Sequence, residues 1–152
     1  MSGLSVGALL PDATLISATG QPVRISDHRG RYALVLLLLG ELRDAALRER
    51  LLALADRYAE IRQEGAEVLA IVPGPREAAE ALARARPFPF PILADVDKRA
   101  HRQYEAVERG MLLIADRYGE IYFVGAAAEG HSLLSVEEIL SWIRFTEAQC
   151  PE

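Results

Sequence analysis

The sequence predicts an α/β sandwich, a mixed sheet with helices on both of its faces. Three observations point there. Residues 32–39 are apolar at nearly every position, as in a central strand covered on both faces. An amphipathic stretch over 44–63 then leads into a second apolar strand over 67–72, a unit whose length suits a right-handed crossover between parallel strands. Hairpin patterns stand near both ends, with Gly20 and Gly119 placed for their turns.

Taken in order, residues 14–17 and 23–25 are short β-prone segments around the turn 18–21. Ser26 to Gly30 follows as one helical turn, with Ser26 able to cap it and Gly30 able to end it. In the 44–63 helix, Leu47, Leu51, Leu54, Tyr58 and Ile61 recur at steps of three and four, and Gly65 closes it. Pro73-Gly74-Pro75 turns the chain into an Ala-rich helix over 76–86. Pro87, Pro89 and Pro91 then exclude helix and fix an extended approach to the strand 92–94. Residues 95–104 form a turn and helix. Residues 111–115 and 121–125 make the second hairpin. Ser135 and Glu138 form a capping box ahead of a closing helix, with Ile139, Leu140, Trp142 and Ile143 as its buried stripe.

Length and composition fit one domain spanning 1–152, with a substantial core: 152 residues, 51% of them apolar and 26% charged. Net charge is −5, and the sixteen Arg and one Lys are dispersed among the acids, which argues against nucleic acid as a partner. The longest apolar runs fall far short of the roughly 20 residues that span a bilayer, so no membrane association is expected. The N-terminal stretch lacks the features of a signal peptide, which makes a cytoplasmic location the expectation. A lone cysteine, Cys150, excludes an intrachain disulfide. His28, His101 and His131 have no neighbouring ligand at metal-binding spacing and are read as surface or turn residues. No metal and no cofactor are expected. Tyr104, Tyr118, Tyr122 and Phe123 are read as core or rim.

Parallel strands followed by an antiparallel hairpin and a closing helix describe a thioredoxin-like three-layer sandwich. The missing Gly-rich fingerprint after residue 39 points away from a dinucleotide fold. Several segments then resemble the peroxiredoxins of the alkyl hydroperoxide reductase and thiol-specific antioxidant family. Val6-Gly7 with Pro11-Asp12, and Gly20 with Val23, Ile25-Ser26-Asp27 and Arg29-Gly30, resemble its opening. Phe90-Pro91-Ile92-Leu93-Ala94-Asp95 and Ile114-Ala115-Asp116-Arg117-Tyr118-Gly119-Glu120-Ile121 resemble its later motifs.

That resemblance implies a reactive thiolate at the start of the helix after the first core strand, where backbone N–H groups and the helix dipole favour the anion. The matching register places this position at Asp44, the second cysteine of a C-x-x-C arrangement at Leu47, the usual Thr at Glu41 and the usual Pro at Leu37. None of the four is kept. Glu41, Arg43 and Asp44 therefore mark a vestigial turn, with Asp44 either a helix cap or a carboxylate in the anion site. Arg109 and Gly110 fall where the family carries its arginine ahead of the last hairpin, displaced by about one residue. The tail Gln149-Cys150-Pro151-Glu152 resembles that of two-cysteine peroxiredoxins, whose tail cysteine resolves a sulfenic acid on a partner subunit.

Two functions remain open on these grounds. One is a degenerate peroxiredoxin-like protein acting by binding or self-association, with homodimerisation implied by the resemblance. The other is a thiol oxidoreductase using Cys150 with the thiol of a partner protein.

Overall fold

The computed structural model describes residues 5–40, 45–104, 106, 110–126 and 134–149. Strands β1 (Thr14–Ser17) and β2 (Pro22–Arg24) form the N-terminal hairpin, and a 3-10 turn (Ile25–His28) leads to β3 (Ala33–Leu38). Helices α1 (Ala45–Asp56) and α2 (Tyr58–Gln63) precede β4 (Ala66–Pro73), and α3 (Arg76–Ala85) precedes β5 (Ile92–Asp95). A short α4 (Arg99–Gln103), the strands β6 (Met111–Ala115) and β7 (Ile121–Ala126), and α5 (Val136–Gln149) complete the order.

These strands make one sheet, ordered β2-β1-β5-β4-β3-β6-β7. The pairs β3–β4 and β4–β5 are parallel, whereas β3–β6, β6–β7, β1–β5 and β1–β2 are antiparallel. The N-terminal hairpin thus extends the sheet through β1, a pairing that no local pattern announces. All six residues of β3 are buried, and their alternation divides the core in two. Val35 and Leu37 face α1, α2, α3 and α5 through Leu47, Leu51, Leu54, Ile61, Ala79, Ile139 and Ile143. Leu34, Leu36 and Leu38 face the opposite layer, built from Leu10, Leu15, Ile25, Ala100 and Tyr104. Helices on both faces and a mixed sheet are what the unbroken apolar run of β3 predicts.

Three details differ from the sequence reading. The 44–63 helix is two helices, interrupted at Arg57 (φ −115°, ψ 21°), whose guanidinium is held by Glu60 at 2.7 Å and by Glu137 of α5. Leu47, Leu51, Leu54 and Ile61 stay buried on both sides of the break, so the apolar stripe gives no sign of it. Ser26 does not cap the 3-10 turn. Its hydroxyl and N–H donate to Asp12, both at 2.9 Å, while the Asp27 carboxylate takes the Arg24 N–H at 3.3 Å. Trp142 is only partly buried. The capping box of α5 is present, with Ser135 Oγ accepting from Glu138 N–H at 3.1 Å and Glu138 Oε1 accepting from Ser135 N–H at 2.9 Å. No described helix is long and apolar enough to cross a membrane.

Candidate functional site

In open α/β sheets, ligands gather at the carboxyl ends of the parallel strands. Here those ends are Leu38 on β3, Pro73 on β4 and Asp95 on β5. The junction from β3 to α1 begins with Leu39 and Gly40. Glu41, Arg43 and Asp44, with Arg109 and Cys150, lie outside the described residues. The other two predicted positions, Leu47 and Gly110, are described, and the fold brings them together.

Leu47, in the first turn of α1, is 1% exposed and points at the chain ahead of β6. A Cβ at position 110 would lie 1.9 Å from Leu47 Cδ1, 2.6 Å from the Leu38 carbonyl oxygen and 3.2 Å from Gly40 N. Only glycine permits this approach of backbone to backbone. The space beside Gly110 and the end of β3 is therefore filled by an aliphatic side chain, at the position where the family resemblance implies a second cysteine.

Beneath the junction lies a polar constellation unforeseen in the sequence. Residue His101 is fully buried and Asp95 is 3% exposed. The ring Nδ1 is 2.8 Å from Asp95 Oδ2, and Nε2 is 2.8 Å from the main-chain oxygen of Leu39. The Asp95 carboxylate also accepts the N–H groups of His101 (2.7 Å) and Ala100 (3.3 Å), which ties β5 to the start of α4. Its own carbonyl accepts from Gly74 (3.1 Å) and Lys98 (3.0 Å). The carboxyl ends of β3, β4 and β5 are thus laced through one buried acid and one imidazole. The expectation of a surface or turn His101 is corrected on this ground: the hydrogen bonds at both ring nitrogens make its complete burial tolerable. A signal was present in the sequence. Ala100 and Tyr104 form the apolar stripe of α4, and His101, adjacent to Ala100 and three before Tyr104, falls on the same face.

The layer below is polar at its margin. A cleft of about 320 Å³ is lined by Asp12, Arg24, Asp95, Asp97, Arg99 and Gln103. Burial pushes the Asp12 carboxyl up, but hydrogen bonds from Ser26 and Ala13 outweigh it and hold the group below its ordinary value. Tyr104 is fully buried and donates its hydroxyl to the Pro11 carbonyl at 2.7 Å, and burial drives the phenol well above its usual range. Among the described residues, no cluster of three or more His, Cys, Asp or Glu is placed to hold a metal ion.

On the opposite layer, Tyr122 and Phe123 of β7 meet Phe145 and Trp142 of α5 with ring centroids 5.8 to 5.9 Å apart. Phe145 is 48% exposed. Beside it opens a groove of about 350 Å³ lined by Glu138, Ser141, Trp142 and Phe145. Strand β7 is the last in the sheet, and among the described residues the segment 7–10 bridges its beginning, through Gly7 N–H to Ile121 O and Ile121 N–H to Ala8 O, both 2.8 Å.

The sheet order, the helices that cover both of its faces and the placing of α1 after β3 define a redoxin of thioredoxin-like fold. Residues 6–124 match the AhpC/TSA family, and the chain belongs to that family. A peroxiredoxin 2 of Thermoplasma acidophilum is 25% identical over 152 residues, covering 95% of this chain and 68% of the relative. A peroxiredoxin of Thermoplasma volcanium is 23% identical over 152 residues, covering 95% and 66%. The chain spans about two thirds of the length of these relatives. Among solved structures, peroxidoxin BcpB from Mycobacterium tuberculosis matches with a TM-score of 0.76 at 18% identity, covering 97% of this chain and 99% of that one. Mycobacterium tuberculosis AhpC matches with a TM-score of 0.78 at 17% identity, covering 97% and 96%. At such identities the two structures establish the fold.

Proposed function

We propose that this chain is a degenerate member of its family, a single redoxin domain without a peroxidatic thiol, and that it works by binding, with self-association as the principal form. One observation carries the reading: the sequence holds a single cysteine, at position 150, so no thiol stands at the junction between β3 and α1. Peroxide reduction of the family's kind needs a thiolate there, and neither an aspartate nor a leucine replaces a sulfur nucleophile. Leu47 packed against Gly110 supports the same reading, since an apolar contact fills the place where a second thiol would work.

Self-association is supported by β7 and its neighbours. An outer strand edge beside an exposed aromatic cluster is a surface that a second copy completes, because the two edges pair with one another while the aromatic side chains leave water. The partner is then a second copy of this chain.

The test is a peroxide-consumption assay with a thiol reductant, run on the full chain and on Cys150→Ser. No turnover in either protein is the expected result. Turnover that disappears in Cys150→Ser would replace this reading with the second one, a thiol oxidoreductase in which Cys150 exchanges with a partner protein's thiol. That alternative is favoured by the likeness of the 149–152 tail to a resolving-cysteine tail.

A further inference from the structure

We propose that Asp95 and His101 form a proton-dependent latch on the Leu39–Gly40 peptide that follows β3, closed while the pair holds two protons and open when it holds one. The proton count follows from the contacts. A main-chain carbonyl carries no proton, so the 2.8 Å approach of Nε2 to Leu39 O requires a proton on Nε2. The 2.8 Å approach of Nδ1 to Asp95 Oδ2 requires a second, whichever of those two atoms holds it. Imidazolium with carboxylate and imidazole with carboxylic acid are two descriptions of the same neutral, fully bonded pair.

With one proton removed, one of the two short contacts turns into two lone pairs facing each other. The contact to Asp95 is the one retained. Its carboxylate is pinned by the N–H groups of Ala100 and His101, and its carbonyl by those of Gly74 and Lys98, so it has nowhere to retreat. A bare ring nitrogen against a pinned carboxylate is also the worse repulsion, because the carboxylate carries a full charge. The contact to Leu39 therefore opens. Leu39 is held on one side by its N–H to Ile71 O at 2.8 Å and is followed on the other by Gly40, whose backbone turns most freely. The 39–40 peptide rotates, and the start of the junction moves with it.

The proton has a path out, since the polar cleft opens on Asp95 although the ring itself is fully buried. Among the described residues, few groups face the pair. Strand β3 contributes main chain only, and Asp95 comes from β5. Across the cleft stand Asp12 and Arg24 of the N-terminal hairpin region with Asp97 and Arg99, two acids and two arginines that offset one another in formal charge. On α4 itself Arg102 is exposed. Among these described groups, Asp95 is the one in contact with the ring. None of this depends on whether the chain turns over peroxide.

The test is a titration of the uniformly ¹⁵N-labelled full chain from pH 5 to pH 10, following both ring nitrogens of His101 and the amide nitrogen of Gly40, which shares a peptide with the Leu39 carbonyl. Both ring nitrogens should read as protonated at the acid end. One should lose its proton as pH rises, with the Gly40 signal shifting at the same midpoint. Asp95→Asn, which takes away the carboxylate that the second proton bridges, should displace that midpoint. A Gly40 signal that stays flat while the ring titrates would overturn the latch, and so would a ring unchanged over the whole range, which would make the pair a static tie. Should Asp95→Asn not fold, His101→Gln serves instead: the pH step at Gly40 must vanish, and its persistence would equally overturn the proposal.

Discussion

Leu47 on α1 and Gly110 ahead of β6 approach so closely that a Cβ on residue 110 would sit 1.9 Å from the Leu47 methyl and 2.6 Å from the Leu38 carbonyl oxygen. The first clash is with a side chain that can move, the second with a strand that cannot. Gly110→Ala should therefore destabilise the fold by about 2–3 kcal/mol, as overpacking does. Combining it with Leu47→Ala should recover nothing, because the Leu38 oxygen remains and a cavity is added. Urea denaturation of the parent and the two variants checks this, and a double mutant more stable than Gly110→Ala would place the strain in the side chain alone.

His101→Ala removes one half of a buried pair and leaves both Asp95 and the Leu39 carbonyl short of a partner. The expected cost is about 3–5 kcal/mol, the range for breaking a buried ionic or hydrogen-bonded pair. Thermal and chemical unfolding at neutral pH measure it. A loss below about 1 kcal/mol would show that water replaces the ring at little cost.

Asp12 joins the N-terminal segment to the 3-10 turn through Ser26. Its folded-state pKa lies below the unfolded value, so its contribution is present above the unfolded pKa and lost as pH falls through the folded one. Asp12→Asn should thus be less stable than the parent at neutral pH, by under about 1 kcal/mol at so exposed a site. The difference should shrink to nothing in acid. Stability curves at several pH values between 2 and 7 test the sign.

Phe145→Ser removes the most exposed ring of the α5–β7 cluster while leaving Ile139, Leu140 and Ile143 in the core. Sedimentation equilibrium should show the parent associating and the variant monomeric, with unfolding midpoints nearly equal. A monomeric parent would remove self-association from the proposed function.

Asp44→Cys tests the family register directly. At the start of a helix a thiol should ionise well below the free value of about 8.5. An ordinary thiol pKa would mean that the reactive position lies elsewhere.

Much of this architecture was legible in the chain. The all-apolar 32–39 run demanded cover on both faces, Gly20 and Gly119 marked the hairpin turns at positive φ, and Ser135 with Glu138 marked the start of α5. These are local effects, set by periodicity, backbone freedom and side chains a few residues apart. The break at Arg57 was hidden because the apolar stripe continues through it, and the antiparallel docking of β1 on β5 was hidden because edge pairing leaves no mark in either strand.

The candidate site divides in the same way. Sequence by itself determined that the only thiol is Cys150, since residue identity needs no coordinates, and the family resemblance is what assigned Leu47 and Gly110 to the places of a redoxin's working groups. Tertiary structure alone decided that Leu47 fills the gap beside Gly110, and that His101, read from the sequence as a surface or turn residue, is buried between Asp95 and the Leu39 carbonyl. Asp95 and Leu39 are brought to the ring by the packing of β5 against β4 and of β4 against β3. A histidine becomes a clamp when distant backbone supplies its acceptors, and those distances are set by the sheet as a whole.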